Sequence, residues 1–170
     1  MKQEIQVLDY ANTILKETAK GVLLTTKADG KVNTMTIGWG MLGVEWGKPI
    51  FIAYVREHRL TWQMLEKNGE FTVNVPMGNC KEILAYCGTK SGRDTDKIAD
   101  LGLTPVEPSQ ISVPGIRELP LTLECRVIYK RPQDPAAIPQ SVKDRYYPAN
   151  TPNDYHTAFY GEIVAAYIAE

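Results

Sequence analysis

Six apolar runs of strand length, with only short helical segments between them, constrain the fold of this chain most. The runs cover residues 22–26, 32–37, 50–55, 71–75, 121–129 and 158–168. This pattern favours a mainly β fold, a closed or nearly closed β-barrel with short helices, over a doubly wound α/β sheet. The length of 170 residues suits a single domain spanning residues 1–170.

Two of these runs carry additional local signals. Asp29 and Gly30 lie between the first two runs, and Asp-Gly between strand-like segments predicts a tight β-hairpin. Residues 50–55 are almost continuously apolar, so they are predicted to form a central strand buried on both faces.

Three helices are predicted between the strands. Apolar residues recur at helical spacing over residues 5–20, and Gly21 follows as a stop signal. Thr61 is predicted to be the N-cap of a helix over residues 61–68. Asn79, with a glutamate three residues later, resembles a capping box that opens a short helix through residue 86.

The segment 131–157 differs from the rest of the chain because it holds five of the 11 prolines. It is predicted to be an extended excursion between the last two strands, with a short helix near residues 141–147. An unstructured loop of this length is unusual, so a lid or a subunit contact is the expected role.

The composition excludes several classes of protein. Nineteen basic residues against 20 acidic ones argue against nucleic-acid binding, which needs clustered positive charge. No apolar run approaches the length of about 20 residues that spans a bilayer, and no signal peptide is expected at the N-terminus. Three cysteines do not make a disulfide framework, so a cytoplasmic protein is expected.

Two kinds of site are rejected. The sequence GWGMLG at 38–43 fits the dinucleotide pattern G-x-G-x-x-G, but Gly47 and Pro49 leave no room for the helix which that site requires. A glycine-permitted bend or bulge at a barrel corner is expected instead. The cysteines and the two histidines have no metal-ligand spacing, and no metal site is expected.

Three polar segments suggest a ligand site, although each has a simpler interpretation. NTMTIGW at 33–39 either lines a polar ligand, with Trp39 as a flat wall, or is a half-exposed strand. REHRLT at 56–61 is either an anion site for a phosphate monoester, formed by a helix N-terminus beside Arg56 and Arg59, or a solvated basic turn. GTKSGRDTDK at 88–97 is either a loop that approaches a ligand closely or a charged surface turn.

Taken in order, these segments resemble the flavin reductase-like FMN-binding split-barrel family, and most closely its flavoredoxin-type members. The run IFIAYV before residue 56, FTVNVP at 71–76, LECRV at 123–127 and HTAFYGEIV at 156–164 add to the likeness. The resemblance extends from about Val22 to the C-terminus.

The resemblance implies a homodimeric split β-barrel that holds one non-covalent FMN per subunit near the dimer interface. Contacts to the ring or the ribityl chain would come from Asn33, Met35, Thr36 and Trp39, and phosphate contacts from Arg56 and Thr61. Ser91, Gly92 and Lys97 would approach from the following loop, with Lys97 able to stabilise the reduced ring. No catalytic acid or base is implied, although His156, which opens the final strand, is a possible exception.

Three functions remain open on the sequence. The first is an NAD(P)H-dependent flavin reductase that passes electrons through bound FMN to free flavin, to another small acceptor or to a redox partner protein. The second is a flavoredoxin-like electron carrier without reductase activity of its own. The third is a split-barrel binding or dimerisation module that has lost its cofactor.

Overall fold

The computed structural model describes residues 1–147 and 154–170, which contain ten strands and five α-helices. The strands are β1 (Lys2–Glu4), β2 (Val22–Ala28), β3 (Lys31–Ile37), β4 (Gly40–Glu45), β5 (Lys48–Arg56), β6 (Glu70–Val75), β7 (Pro105–Val106), β8 (Gly115–Ile116), β9 (Leu121–Pro132) and β10 (His156–Ala169). The helices are α1 (Ala11–Lys20), α2 (Leu60–Lys67), α3 (Lys81–Thr89), α4 (Lys97–Asp100) and α5 (Gln140–Tyr146).

One antiparallel sheet dominates the fold, with the strand order β3-β2-β6-β9-β10-β5-β4 and β1 added on β10. The two end strands, β3 and β4, are joined by only Gly38 and Trp39. That connection spans at most about 11 Å, whereas seven strands laid flat would separate the end strands by about 29 Å. The sheet therefore curls back on itself. No ladder joins β3 to β4 within residues 1–147 and 154–170. The mainly β prediction is confirmed.

The predicted hairpin is present between β2 and β3. Asp29 and Gly30 have φ angles of 52° and 75°, in the left-handed region that a type I′ turn requires at both central positions. The ladder continues directly from the turn, with Ala28 opposite Lys31. The turn fixes the register of β3, and thereby the order of the side chains along the sheet's edge.

The concave side of the sheet encloses the main core. Phe51, Phe71 and Phe159 are almost completely buried there, and Ile14 of α1 joins the same cluster. A Cβ at Gly161 would lie 2.5 Å from the Phe71 ring, so this position of β10 requires glycine. Burial of aromatic side chains of this size supplies a large share of the stability of the fold.

The predicted bend at residues 38–43 is not found from residue 40 onwards, because residues 40–45 form the strand β4 and only Gly38 and Trp39 lie between the strands. The side chains of β4 are exposed or half-buried, and glycine residues lie between them. The sequence of this strand therefore shows little apolar periodicity. The rejection of a dinucleotide-binding helix at these glycines is confirmed. The central strand β5 is also less buried than predicted, because Ile52 and Tyr54 are only half-buried.

The helix boundaries differ from the predictions at the N-terminal ends. A short 3-10 helix (Val7–Tyr10) precedes α1, and β1 takes the residues before it. The helix α2 begins one residue before Thr61, whose side chain therefore does not cap it. Asn79 accepts only a long 3.4 Å hydrogen bond from the Lys81 amide, and α3 begins at Lys81.

The excursion between β9 and β10 is partly described. It contains a 3-10 turn (Pro135–Ala137) and then α5, close to the predicted helix. The prolines at positions 148 and 152, part of the composition argument for this segment, lie outside the described residues.

Candidate functional site

Two hollows meet along the free edge of β3 and form one groove. The Trp39 hollow, about 210 Å³, is lined by residues 35–39, Tyr54, Arg56, Arg59 and His156. The Thr61 hollow, about 140 Å³, is lined by Asn33, Met35, residues 58–61, Cys87, Gly88, residues 90–93 and Lys97. Met35 and Arg59 belong to both hollows.

The groove contains every site residue that the sequence predicts, although these residues come from three separate segments of the chain. Of these predicted residues, Met35, Thr36, Trp39 and Arg56 line the Trp39 hollow. The Thr61 hollow is lined by Met35 as well, and by Asn33, Thr61, Ser91, Gly92 and Lys97. Arg56 and Thr61, which the sequence groups as one phosphate site, therefore line different hollows.

Backbone groups of β3 face this groove because β3 is an end strand of the sheet. The Thr34 carbonyl accepts a 2.9 Å hydrogen bond from Lys97 Nζ, on the side away from β2. Backbone groups of alternate residues in a strand point the same way, so the N–H and C=O of Thr36 face the same side as the Thr34 carbonyl. This arrangement explains why the consecutive residues 35–39 all line the Trp39 hollow.

Asn33, Thr61 and Gly92 form a tight junction in the Thr61 hollow. Asn33 is 5% exposed, and its Nδ2 donates a 3.1 Å hydrogen bond to Thr61 Oγ1. A Cβ at position 92 would lie 2.8 Å from Asn33 Cγ and 3.0 Å from Leu60 Cδ2. Only glycine therefore allows the loop at 88–97 to approach the sheet and α2 this closely.

Lys97 holds three elements together beneath the same hollow. Its buried ammonium donates to the carbonyls of Thr34 in β3 and Cys87 in α3, at 2.9 and 3.0 Å. Burial lowers the pKa of Lys97 from its ordinary value. These two carbonyls compensate part of the cost of placing the charge there.

Basic side chains dominate the Thr61 hollow. His58, Arg59, Lys90, Arg93 and Lys97 line it, and no carboxylate lines it among the residues that the structure describes. Arg59 is the N-cap residue of α2, where free backbone N–H groups and the helix dipole also favour an anion. The charge and the geometry of this hollow therefore suit an anion.

Arg56 does not line the Thr61 hollow, and its guanidinium forms hydrogen bonds with the excursion between β9 and β10. It donates to Asp154 Oδ2 at 3.1 Å and to the Tyr146 carbonyl at 2.8 Å. Asp154 also lies 2.6 Å from His58 Nδ1. Burial raises the pKa of Asp154, but the hydrogen bonds from His58 and Arg56 outweigh it and hold that pKa below its ordinary value.

His156 and the excursion close one side of the Trp39 hollow. The His156 ring lies 4.9 Å from the Trp39 ring, and its Nδ1 is 2.7 Å from the Tyr147 hydroxyl. Burial, with Arg56 nearby, lowers the pKa of His156 to about 4, so the imidazole is neutral at pH 7. Tyr146 of α5 packs edge-on against Trp39 at 5.2 Å.

Tyr54, Lys90 and Arg93 are among the lining residues that the sequence-based site does not include. Tyr54 precedes Arg56 by two positions on β5, so the period of a strand predicts that both face the same side. Lys90 and Arg93 lie inside the loop at 88–97 that the sequence singled out, but nothing in the sequence distinguishes them from solvated surface charges.

Neither a metal centre nor a membrane span is found in the described parts of the chain. Residues 1–147 and 154–170 contain no group of three His, Cys, Asp or Glu side chains suited to a metal ion. None of the helices described combines the length and the hydropathy needed to cross a membrane.

Comparison with known proteins decides the family. A family model for the flavin reductase like domain matches residues 16–170. The chain belongs to the flavin reductase-like family. The resemblance found in the sequence motifs is therefore confirmed, and the matched span contains all three segments that form the groove.

Individual relatives within this family agree with the assignment. The structure is similar to that of a flavoredoxin from Methanosarcina acetivorans, with a TM-score of 0.67, 28% identity and coverage of 88% of this chain and 68% of that one. It also shares its fold with the FMN-binding domain of a flavin reductases-like enzyme from Shewanella baltica, with a TM-score of 0.72, 16% identity and coverage of 99% and 77%. An uncharacterized protein from Archaeoglobus fulgidus is 33% identical over 98 residues, which are 58% of this chain and 55% of that protein. The chain thus spans about half the length of that relative.

Proposed function

We propose that the groove holds one non-covalent FMN, with its ring in the Trp39 hollow and its phosphate in the Thr61 hollow. The observation that carries this proposal is the pairing of the two hollows. One is lined by Trp39, Tyr54 and a neutral imidazole together with Arg56 and Arg59, whereas the other is lined mainly by basic and small polar residues. A flat, largely uncharged ring joined to a phosphate dianion matches that distribution.

The residues of the Thr61 hollow fit a phosphate well. Arg59 and the free N–H groups at the start of α2 would donate to the phosphate, as in other anion sites at helix N-termini. Lys97 lines the same hollow, so we assign it to the phosphate and ribityl end rather than to the ring. The close approach of the loop at Gly92 brings Ser91 to the same position.

The residues of the Trp39 hollow fit a flavin ring. The Thr36 backbone groups offer one donor and one acceptor on the free edge of β3, which suits the polar edge of the ring. Arg56 lines this hollow, and its fixed positive charge would stabilise negative charge on a reduced ligand. Bound FMN would itself supply the hydride and electron chemistry, while these side chains orient it and limit the access of water.

The activity that this site supports best is an NAD(P)H-dependent flavin reductase, an oxidoreductase that passes electrons from the nicotinamide through FMN to free flavin. A second candidate is an electron carrier without reductase activity, which the 28% identity to a flavoredoxin favours. Both candidates use the same groove and differ only in the electron donor.

Two measurements test this proposal. Purified protein is incubated with FMN and desalted, and its absorption spectrum is recorded; protein that stays colourless contradicts the flavin assignment and supports a module without a cofactor. Oxidation of NADH and of NADPH is then followed with catalytic protein and excess free FMN. Turnover above background supports the reductase, whereas its absence with bound, reducible FMN supports the carrier.

A matched pair of variants tests the phosphate end. Arg59→Ala removes one charge-assisted donor and is expected to weaken FMN binding by about tenfold or more. Arg117→Ala removes another exposed arginine that lines neither hollow, and FMN binding should not change. Equal affinities of both variants and the wild type would contradict the phosphate assignment.

We also propose that the chain is a homodimer, because the outer face of the sheet carries an apolar row. Met41, Ile52, Tyr160 and Tyr129 are cross-strand neighbours on β4, β5, β10 and β9. Met41 is 54% exposed and Tyr129 is 41% exposed. Contiguous apolar surface of this kind marks an interface. Met41→Lys should shift the sedimentation of the protein towards monomer, and an unchanged monomeric mass in both proteins would contradict the dimer.

The compartment proposed for this activity is the cytoplasm. All three cysteines are free thiols, as expected in a reducing environment. Fractionation of expressing cells tests it.

A further inference from the structure

Asp154, two residues before β10, connects the two hollows of the groove. Its Oδ2 accepts a 3.1 Å hydrogen bond from Arg56, which lines the Trp39 hollow. Its Oδ1 lies 2.6 Å from Nδ1 of His58, which lines the Thr61 hollow. In the described part of the chain, no other carboxylate is paired with a basic side chain of either hollow. One carboxylate therefore holds a lining residue of each hollow.

The guanidinium of Arg56 is fixed by several contacts with the same part of the chain. It donates to the Tyr146 carbonyl at 2.8 Å and lies 5.1 Å from the centre of the Tyr147 ring. The side chains of Arg56 and Asp154 are only 22% and 11% exposed, so water and salt screen this ion pair less than a pair on the open surface. The pairing therefore keeps the charge of Arg56 at the wall of the Trp39 hollow.

The charges of Arg56 and Asp154 have opposite effects on the side chains around this hollow. Burial is the main cause of the lowered pKa of His156; Arg56 lowers that pKa further, whereas Asp154 raises it. Burial raises the pKa of Tyr147, Arg56 lowers it, and Asp154 again raises it. A negative charge that developed on a ligand in the Trp39 hollow would experience the same two opposing fields.

We propose that Asp154 is a positioning residue that fixes Arg56 at the Trp39 hollow and, by its negative charge, lowers the reduction potential of the flavin bound there. The proposal rests on the proposed function, because it requires the flavin ring to lie in the Trp39 hollow. Transfer of one hydride adds two electrons and one proton to the ring, which then carries one additional negative charge. Arg56 stabilises this charge and Asp154 opposes it. The potential is therefore lower than Arg56 alone would set it.

The reduction potential of FMN bound to the full chain tests this role. It is measured by equilibration with a reference dye during slow reduction, together with the Kd of oxidised FMN. Asp154→Asn removes the negative charge but keeps an oxygen that accepts from Arg56 and an amide that can donate to His58. We expect reduced FMN to gain about tenfold in affinity relative to oxidised FMN, which raises the potential by about 30 mV for two electrons.

Two further variants make the result specific. Asp144→Asn removes the same charge from an exposed position of α5 and should leave the potential unchanged. Arg56→Gln removes the opposing charge and should lower the potential. A variant that merely loosens the excursion would weaken the binding of oxidised and reduced FMN equally, so the ratio of the two affinities separates an electrostatic role from a structural one.

The outcomes distinguish this role from the proposed function. If the wild type binds no FMN, the flavin assignment and the role of Asp154 fail together. If FMN binds and Asp154→Asn leaves the potential unchanged or lowers it, the role of Asp154 alone is wrong. An equal rise in Asp144→Asn would overturn it as well, because any lost negative charge would then have the same effect.

Discussion

Replacement of Gly92 with alanine is the sharpest structural test of the groove. The added methyl would lie 2.8 Å from Asn33 Cγ and 3.0 Å from Leu60 Cδ2, so the side chain of Asn33 must move. Insertion of a methyl into a packed position costs about 1–3 kcal/mol. Loss of the Asn33–Thr61 hydrogen bond adds about 1 kcal/mol. We therefore expect the free energy of unfolding to fall by about 2–4 kcal/mol.

Thermal unfolding and flavin titration measure this effect together. For a chain of this size the expected loss corresponds to a decrease in Tm of about 5–15 °C. FMN affinity should fall as well, because Asn33 and Thr61 line the Thr61 hollow. Gly78→Ala is the control, since a Cβ there meets nothing within 4 Å. A Gly92→Ala protein with wild-type Tm and wild-type FMN affinity would refute the reasoning about this junction.

Three further predictions concern the Trp39 hollow. Trp39→Leu should alter the absorption spectrum of bound FMN while weakening its binding by less than about tenfold, and an unchanged spectrum would argue against ring contact. The pKa of His156 is lowered to about 4, below the value of about 6.5 in the unfolded chain, so the unfolded state binds more protons between these values. Stability should therefore fall by about 3 kcal/mol as the pH drops across that window, and urea unfolding of His156→Asn should show a flatter pH profile. The pKa of Asp154 is lowered, so its contribution is fully present above about pH 4 and is lost progressively as the pH falls below it; Asp154→Asn should destabilise the protein at pH 7, and its difference from the wild type should shrink as the pH falls below about 4.

Local chemistry explains which parts of the fold were predictable. The Asp29-Gly30 hairpin and the buried strands are predictable because turn residues and apolar runs determine them within a few positions of the sequence. The edge strand β4 is not predictable in this way, because its side chains are exposed or half-buried and two of its six residues are glycine. Thr61 was predicted to cap α2, but the partner of its hydroxyl, Asn33, is 28 positions away in the sequence.

The groove shows the same division between local and distant determinants. Its three segments were recognisable from local composition, because short polar side chains, basic side chains or glycine are concentrated in each of them. The roles of Arg56 and Lys97 were not predictable, because they depend on contacts with residues that are distant in the sequence. Arg56 lies opposite His156 through the register of β5 with β10, and Lys97 is held by carbonyls of β3 and α3.

The central position of β10 has a consequence for how this protein is made. This last strand pairs with β1, β5 and β9, and it begins at His156 in the wall of the Trp39 hollow. A nascent chain therefore lacks the groove until β10 has left the ribosome, and pairing across such long sequence separations is slow. Flavin uptake would then report the completion of folding, and the ligand would stabilise only molecules that have reached the native state.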